Sequence, residues 1–158
     1  MHFLRSIQLD GSDLQVFEHA AEPGEWAVPG SFALLCIDPQ TRDPKQREAF
    51  RHGFIGTDSF GHSSLVAVAD ISPVCLSGVI DRIAAHLRRH CGAPTDSAAR
   101  SAAEEEVGFT LELSSHPIGT LIALQRELVD DSIEEAFRTV SRQEGVDHSQ
   151  MRLWATVD

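Results

Sequence analysis

Two matched segments constrain this chain more than anything else in it. Glu22 to Asp38 reads EPGEWAVPGSFALLCID, and Gly53 to Asp70 reads GFIGTDSFGHSSLVAVAD. Each carries a glycine-rich, aromatic-bearing loop into an apolar run that ends at an aspartate. An apolar run without alternation is buried on both faces, as in a central strand covered by helices. The chain must therefore supply a sheet and helices to cover it. Loops on such a sheet are also where a small protein can place a pocket or a docking patch.

The remaining segments supply those parts. Residues 3–9 alternate Phe3, Arg5, Ile7 and Leu9 against Leu4, Ser6 and Gln8, a strand pattern. Ser12 or Asp13 can cap a short helix through Val16, Phe17 and Ala20, stopped by Pro23-Gly24. Pro29-Gly30 suits the centre of a type II turn, and Phe32 to Ile37 reads as the strand after it. Asp43-Pro44 opens a mostly polar helix with Phe50 as its apolar anchor, ending near Arg51 or His52 with Gly53 as a left-handed terminus. Leu65 to Ile71 is another apolar strand.

Ser72-Pro73 begins the clearest helix. Leu76, Val79, Ile80, Ile83, Ala84 and Leu87 follow three-four spacing over four turns, and Gly92 closes it. Its large aliphatic side chains are worth roughly 1.5–3 kcal/mol each on burial, before entropy is counted. Asp96 caps a second helix, SAARSAAEEE, with Ala98, Ala99, Ala102 and Ala103 as a close-packing face. Val107, Phe109, Leu111 and Leu113 then alternate with Gly108, Thr110 and Glu112. This reads as a strand, with the helix reaching to about 108 as the alternative. Ser114 to Gly119 joins it to Thr120–Leu128 as a hairpin. Asp131-Ser132 caps a helix, IEEAFRTVSRQ, with Ile133, Phe137 and Val140 on its apolar side and Gly145 at its end. Met151 to Val157 is the last strand. The order β-α-β-α-β-α-α-β-β-α-β predicts a single α+β domain. Its sheet is mixed or largely antiparallel, of five to six strands, covered by helices.

Composition narrows the function classes. A chain of 158 residues, 42% hydrophobic and 23% charged, is one globular domain with a real core. Its formal charge is -11, and residues 104–158 hold 12 acids against 4 bases. Most phosphate-backbone affinity is electrostatic, so nucleic acid and anionic membrane are poor partners, while a protein with a basic patch is a good one. Eight Phe, two Trp and no Tyr mean that Phe and Trp must serve any aromatic contact. Cys36, Cys75 and Cys91 are odd in number and form no CxxC, which fits a reducing compartment. MHFLRSIQLD has no signal-peptide pattern, and no apolar run approaches membrane-span length. The expectation is a cytoplasmic protein.

No motif names a chemistry. GxGxxG, the P-loop, HExxH, GxSxG and zinc-finger spacing are absent. His86 and His90 share a helix face, but Arg82, Arg88 and Arg89 crowd it and oppose a cation, so no metal is expected. Cys36 and Cys91 read as small core hydrophobes, and Cys75 sits in a first helical turn. Glu104-Glu105-Glu106 reads as a solvated helix surface. His52 and His62 bracket the second glycine loop with Asp58 and Ser59 between them, parts of a nucleophilic site only if space brings them together. Trp26 and Phe60 stand in the two loops as aromatic contacts. The candidate ligand- or partner-binding residues are therefore Trp26, His52, Asp58, Phe60 and His62. No catalytic residue and no cofactor is assigned.

FLRSIQLD, GEWAVPGSFA, GFxGxxSFG, the GAP after the long helix and a late FR segment together resemble a small family of uncharacterised bacterial proteins of about this length. That resemblance covers nearly the whole chain and implies no activity. The leading expectation is a cytoplasmic interaction or accessory domain, free to form a homo-oligomer. The alternative is a small-molecule-binding protein or small enzyme that uses the two glycine-aromatic loops.

Overall fold

The structure, a computed structural model, describes residues 1–7, 16–32 and 40–140, and the backbone of 154–157. The strand through Ile37 with Cys36, Gly145, the start of the last strand and the beginning of the short helix expected after Ser12 lie outside the described residues. That helix does not reach Ala20, because among its described residues only Val16 is helical and Ala20 bridges to His62. The described chain is α+β. Its strands are β1 (His2–Ser6), β2 (Trp26–Val28), β3 (Phe54–Gly56), β4 (His62–Ser63), β5 (Leu65–Asp70), β6 (Leu121–Val129), β7 (Ser132–Val140) and β8 (Trp154–Val157). Its helices are α1 (Pro44–His52), α2 (Pro73–His90) and α3 (Asp96–Leu113). The strands form one sheet of eight, in the order β4-β3-β2-β1-β5-β6-β7-β8, and every neighbouring pair is antiparallel. The expected count of five to six falls short because the glycine segments add the short strands β2, β3 and β4 and residues 132–140 add β7, while 107–113 are helical.

Period-two alternation in β1 builds two cores. Phe3 points to the helical side, where it meets Val28, Ile71, Val79, Ile83, Leu87, Ala99, Ala103 and Val107. Leu4 points the other way, into the hollow of the curled sheet, with Ala27, Phe54, Val66, Val68, Leu113, Ile122, Leu124 and Phe137. The curl brings the end of α1 to β6, where Nδ1 of His52 is hydrogen bonded to the Leu124 carbonyl at 2.9 Å.

The helix boundaries follow their caps. Asp43 accepts a hydrogen bond from the Lys45 amide, with proline at the first helical position. Ser72 accepts from the Cys75 amide in the same way. Gly92 takes φ +73 and closes α2 as expected. Gly53 does not: its φ is -89, ordinary extended backbone. A Cβ there would lie 2.6 Å from the Ala49 carbonyl oxygen and 2.8 Å from the His62 ring, so close approach requires the glycine, not handedness. The cap of α3 is Thr95, one residue before the expected Asp96.

Two segments take the other secondary structure. Residues 107–113 complete α3 instead of forming a strand. Ala99, Ala103, Val107, Thr110 and Leu113 are buried along one continuous stripe, and three-four spacing outlasts the local alternation. Residues 132–140 form β7 instead of a helix. Asp130 and Asp131 have φ of +47 and +67, the pair of positive values that a two-residue type I′ hairpin requires. They turn β6 directly into β7, which pairs from Val129↔Ser132 to Leu121↔Val140. Tertiary pairing along the whole of β6 overrides the helical propensity of IEEAFR. The late hairpin is therefore β6–β7, not the pairing of 107–113 with 120–128.

Candidate functional site

The two glycine loops converge, and a carboxylate joins them. Ala27 pairs with Gly56 across β2 and β3. The Trp26 carbonyl accepts the Thr57 amide at 2.7 Å and its hydroxyl at 2.9 Å. Buried Glu25 does most of the tying. Its Oε1 accepts the amides of Asp58 and Ser59, each at 2.9 Å, while its Oε2 accepts the Glu22 amide and the Ser59 hydroxyl, each at 2.7 Å. A Cβ on Gly56 would collide with this carboxylate, so that glycine is the gap the carboxylate fills.

The expected site residues divide around this knot. Trp26 is half-buried, with Phe3 edge-on at 6.1 Å and the Arg5 guanidinium over its ring at 4.4 Å, a cation–π contact. Asp58 is ion-paired to Arg82 on α2 at 3.0 Å. Phe60, held at φ +56, stacks on His86 of α2 with ring centres 3.9 Å apart and planes 3° from parallel. Burial and then the neighbouring His90 lower the pKa of His86, which favours the neutral ring that stacks. Trp26, Asp58 and Phe60 thus belong to one loop platform locked onto α2.

His52 and His62 are used elsewhere. His52 is bound to β6, as above. His62 packs against Phe17 at 5.7 Å, and its pKa falls to about 4. Burial is the main cause, with the positive charges of His19 and Arg126 adding to it, against a hydrogen bond to the His19 backbone. The hydrogen bonds, ion pair and ring contact of His52, Asp58 and His62 go to other partners: His52 to Leu124, Asp58 to Arg82 and Glu25, and His62 to Phe17. Among the same residues no group of three or more His, Cys, Asp or Glu side chains is arranged to hold a metal ion.

A second cluster is denser in charge. Arg126 is the largest fully buried side chain, 2% exposed. Its Nε donates to Glu135 Oε2 at 2.6 Å, its Nη1 to the Phe50 carbonyl at 3.3 Å and its Nη2 to the Pro29 carbonyl. One guanidinium therefore ties β6 to β7, to α1 and to the Pro29-Gly30 turn. Gly30, at φ +78, donates its amide to Glu106 Oε1 at 2.7 Å, and the Ser31 hydroxyl donates to Glu135 Oε2 at 3.3 Å. Glu106 has its pKa raised. Desolvation is the largest cause and the Glu135 charge contributes, while the amides of Gly30 and Ser31 and the charge of Arg126 pull the other way. Arg126 is thus ion-paired with Glu135, and its charge acts on Glu106 without an ion pair between them. Beside them Phe109 follows Glu106 by three residues on α3, and Ile133 precedes Glu135 by two on β7. Both are 40% exposed, and Phe109 rests on Phe137 at 5.7 Å.

The model of a family of unknown function, DUF6505, matches residues 1–156. The chain belongs to that family. No curated relative and no solved structure matches it. For this member of DUF6505, chemistry must be read from its own side chains. No helix among the described residues is long and apolar enough to cross a membrane.

The cluster of Glu106, Arg126 and Glu135 escapes a reading by residue type, though its signals are present. In LIALQREL, Arg126 falls on the same alternate positions as Ile122 and Leu124, which puts it inside. Glu106 precedes Val107 on the flank of the buried stripe, so it is not part of a solvated run. Glu135 shares a strand face with Phe137, but only once the segment is known to be a strand.

Proposed function

We propose that the protein is an interaction or accessory domain that receives a basic side chain of a partner protein between α3 and β7. The observation that carries this reading is the charge imbalance at Glu106 and Glu135. Arg126 is paired with Glu135, the desolvated carboxyl of Glu106 is hydrogen bonded to the Gly30 amide and feels the Glu135 charge, and apolar Phe109 and Ile133 are exposed on the same two elements. A lysine or arginine with apolar neighbours supplies what is missing, a second cation and cover for the two side chains. The acidic charge of residues 104–158 would steer such a partner in. The exposed free thiol of Cys75 supports a reducing, cytoplasmic setting for the encounter.

The glycine-aromatic loops serve in this reading as scaffold. Glu25, Arg82 and His86 occupy the polar and aromatic groups that a ligand in the loops would need. A library of fluorescent peptides pairing one Lys or Arg with apolar residues, titrated against the full chain, tests the proposal. Binding should weaken at least tenfold in Phe109→Asp and fall with added salt. Peptides with the base replaced by Glu should not bind. Equal binding by Phe109→Asp, or indifference to the peptide's charge, would overturn it.

A further inference from the structure

We infer that the groove between the C-terminal half of α2 and the start of α3 is a second binding site, for a small phosphate-bearing anion. The groove is open to solvent, offers about 370 Å3 and is lined by Arg88, Arg89, Arg100, Asp81, Asp96 and three alanines. That volume suits a small molecule. Ala84, Ala85 and Ala99 form its floor, so no side chain beyond a methyl fills it. Three guanidiniums at one groove are out of keeping with a chain of net charge -11.

Two of the arginines are already aimed across the groove. Arg88 donates Nε to Asp96 at 2.9 Å and Nη1 to the Ala93 carbonyl at 2.7 Å. Arg100 donates Nη1 to Asp81 at 2.9 Å and Nε to Glu104 at 3.1 Å. The bonds to Asp96 and Asp81 cross between the two helices, and neither arginine uses its Nη2 in these bonds. Arg89 makes no hydrogen bond or ion pair with any described residue. The holding aspartates are solvent-exposed, at 95% for Asp96 and 62% for Asp81. Exposed ion pairs are weak because solvent screens them, so a doubly charged phosphate can compete with either carboxylate for its guanidinium. Guanidinium planes match phosphate oxygens two at a time, and a doubly charged phosphate adds a second negative charge that a carboxylate lacks.

The rest of the molecule limits the occupant. Its net charge opposes a long polyanion, and the groove is flanked by Glu104. A compact ligand with one or two phosphates fits both facts.

Calorimetric titration of the full chain with pyrophosphate, inorganic phosphate, citrate and a short DNA duplex, all at one ionic strength, tests this. Pyrophosphate should bind more tightly than citrate and raise the melting temperature. Arg89→Ala should weaken it at least tenfold, and Arg89→Lys by less. Phe109→Asp, remote from the groove, should bind as the wild type does. Four results would overturn the inference: no binding below about 10 mM, equal binding by Arg89→Ala, equal stabilisation by citrate, or tighter binding of the duplex.

Discussion

Glu25 and Glu106 are both desolvated carboxyls that hold a glycine-containing turn, yet the protein treats them in opposite ways. Glu25 accepts four hydrogen bonds, from three amides and a hydroxyl, and no other carboxylate shares its donors. Glu106 accepts from the Gly30-Ser31 turn, but desolvation and the charge of Glu135 raise its proton affinity. A carboxylate surrounded by donors is a fastener. One that is desolvated beside a second carboxylate has unmet electrostatic demand, the condition under which functional carboxyls are found. The sequence draws the eye to the Glu25 loops, whereas the imbalance lies at the other end of the same β2 segment.

The sharpest way to break the comparison is to remove the cation. Arg126→Met should lose about 3–5 kcal/mol of stability, because Glu135 is left without its partner and two backbone carbonyls lose a donor. Urea denaturation of the two proteins would measure it. A loss under 1 kcal/mol would mean that the curl of the sheet closes without Arg126.

His62 gives the next effect, and it has a definite sign. Its folded-state pKa of about 4 lies below the ordinary 6.5, so the folded protein prefers the neutral ring. Its contribution is fully present above pH 6.5 and is lost as pH falls toward 4. The loss is on the order of 3 kcal/mol over that window. His62→Gln should flatten the difference in stability between pH 7 and pH 4. An unchanged slope would assign the acid sensitivity to another group. Glu25→Ala comes third, at about 2 kcal/mol, since water can reach part of the emptied loop. It should leave peptide affinity at the α3–β7 face unchanged, and a tenfold weakening there would show that the two ends of β2 act as one unit.

How far the sequence reached follows from the range of the forces involved. The α2 helix, β1, β5 and the caps at Asp43 and Ser72 are local matters of spacing and capping, and they stand as expected. The two reversals share one cause. Residues 107–113 carry an alternation that fits either period, and only contact with α2 and the sheet selects the helix. Residues 132–140 have a plausible cap in Asp131-Ser132, and only the free edge of β6 turns the same aspartates into a hairpin. Trp26, Asp58 and Phe60 were visible as loop residues, but their convergence was not, because it depends on the pairing of β2 with β3. Nor was the association of Glu106, Arg126 and Glu135, because it joins α3, β6 and β7 across an unknown curl.

The smallest expected effect tests the central claim most directly. Glu106→Gln keeps an oxygen to accept the Gly30 and Ser31 amides while removing the charge. In the wild type a raised pKa means that the folded state resists ionisation, so a penalty develops as pH rises from 4.5 through the folded-state value. The variant should therefore gain a little stability at pH 7 and none at pH 4, where the wild-type carboxyl is already largely protonated. The same change should weaken binding of basic peptides, since one of the two carboxyls facing them is gone. A stabilised protein that binds less well is the mark of a charge kept for a partner. If Glu106→Gln instead lowers stability at pH 7 as Glu25→Ala does, then Glu106 is a fastener too, and the distinction between the two carboxyls disappears.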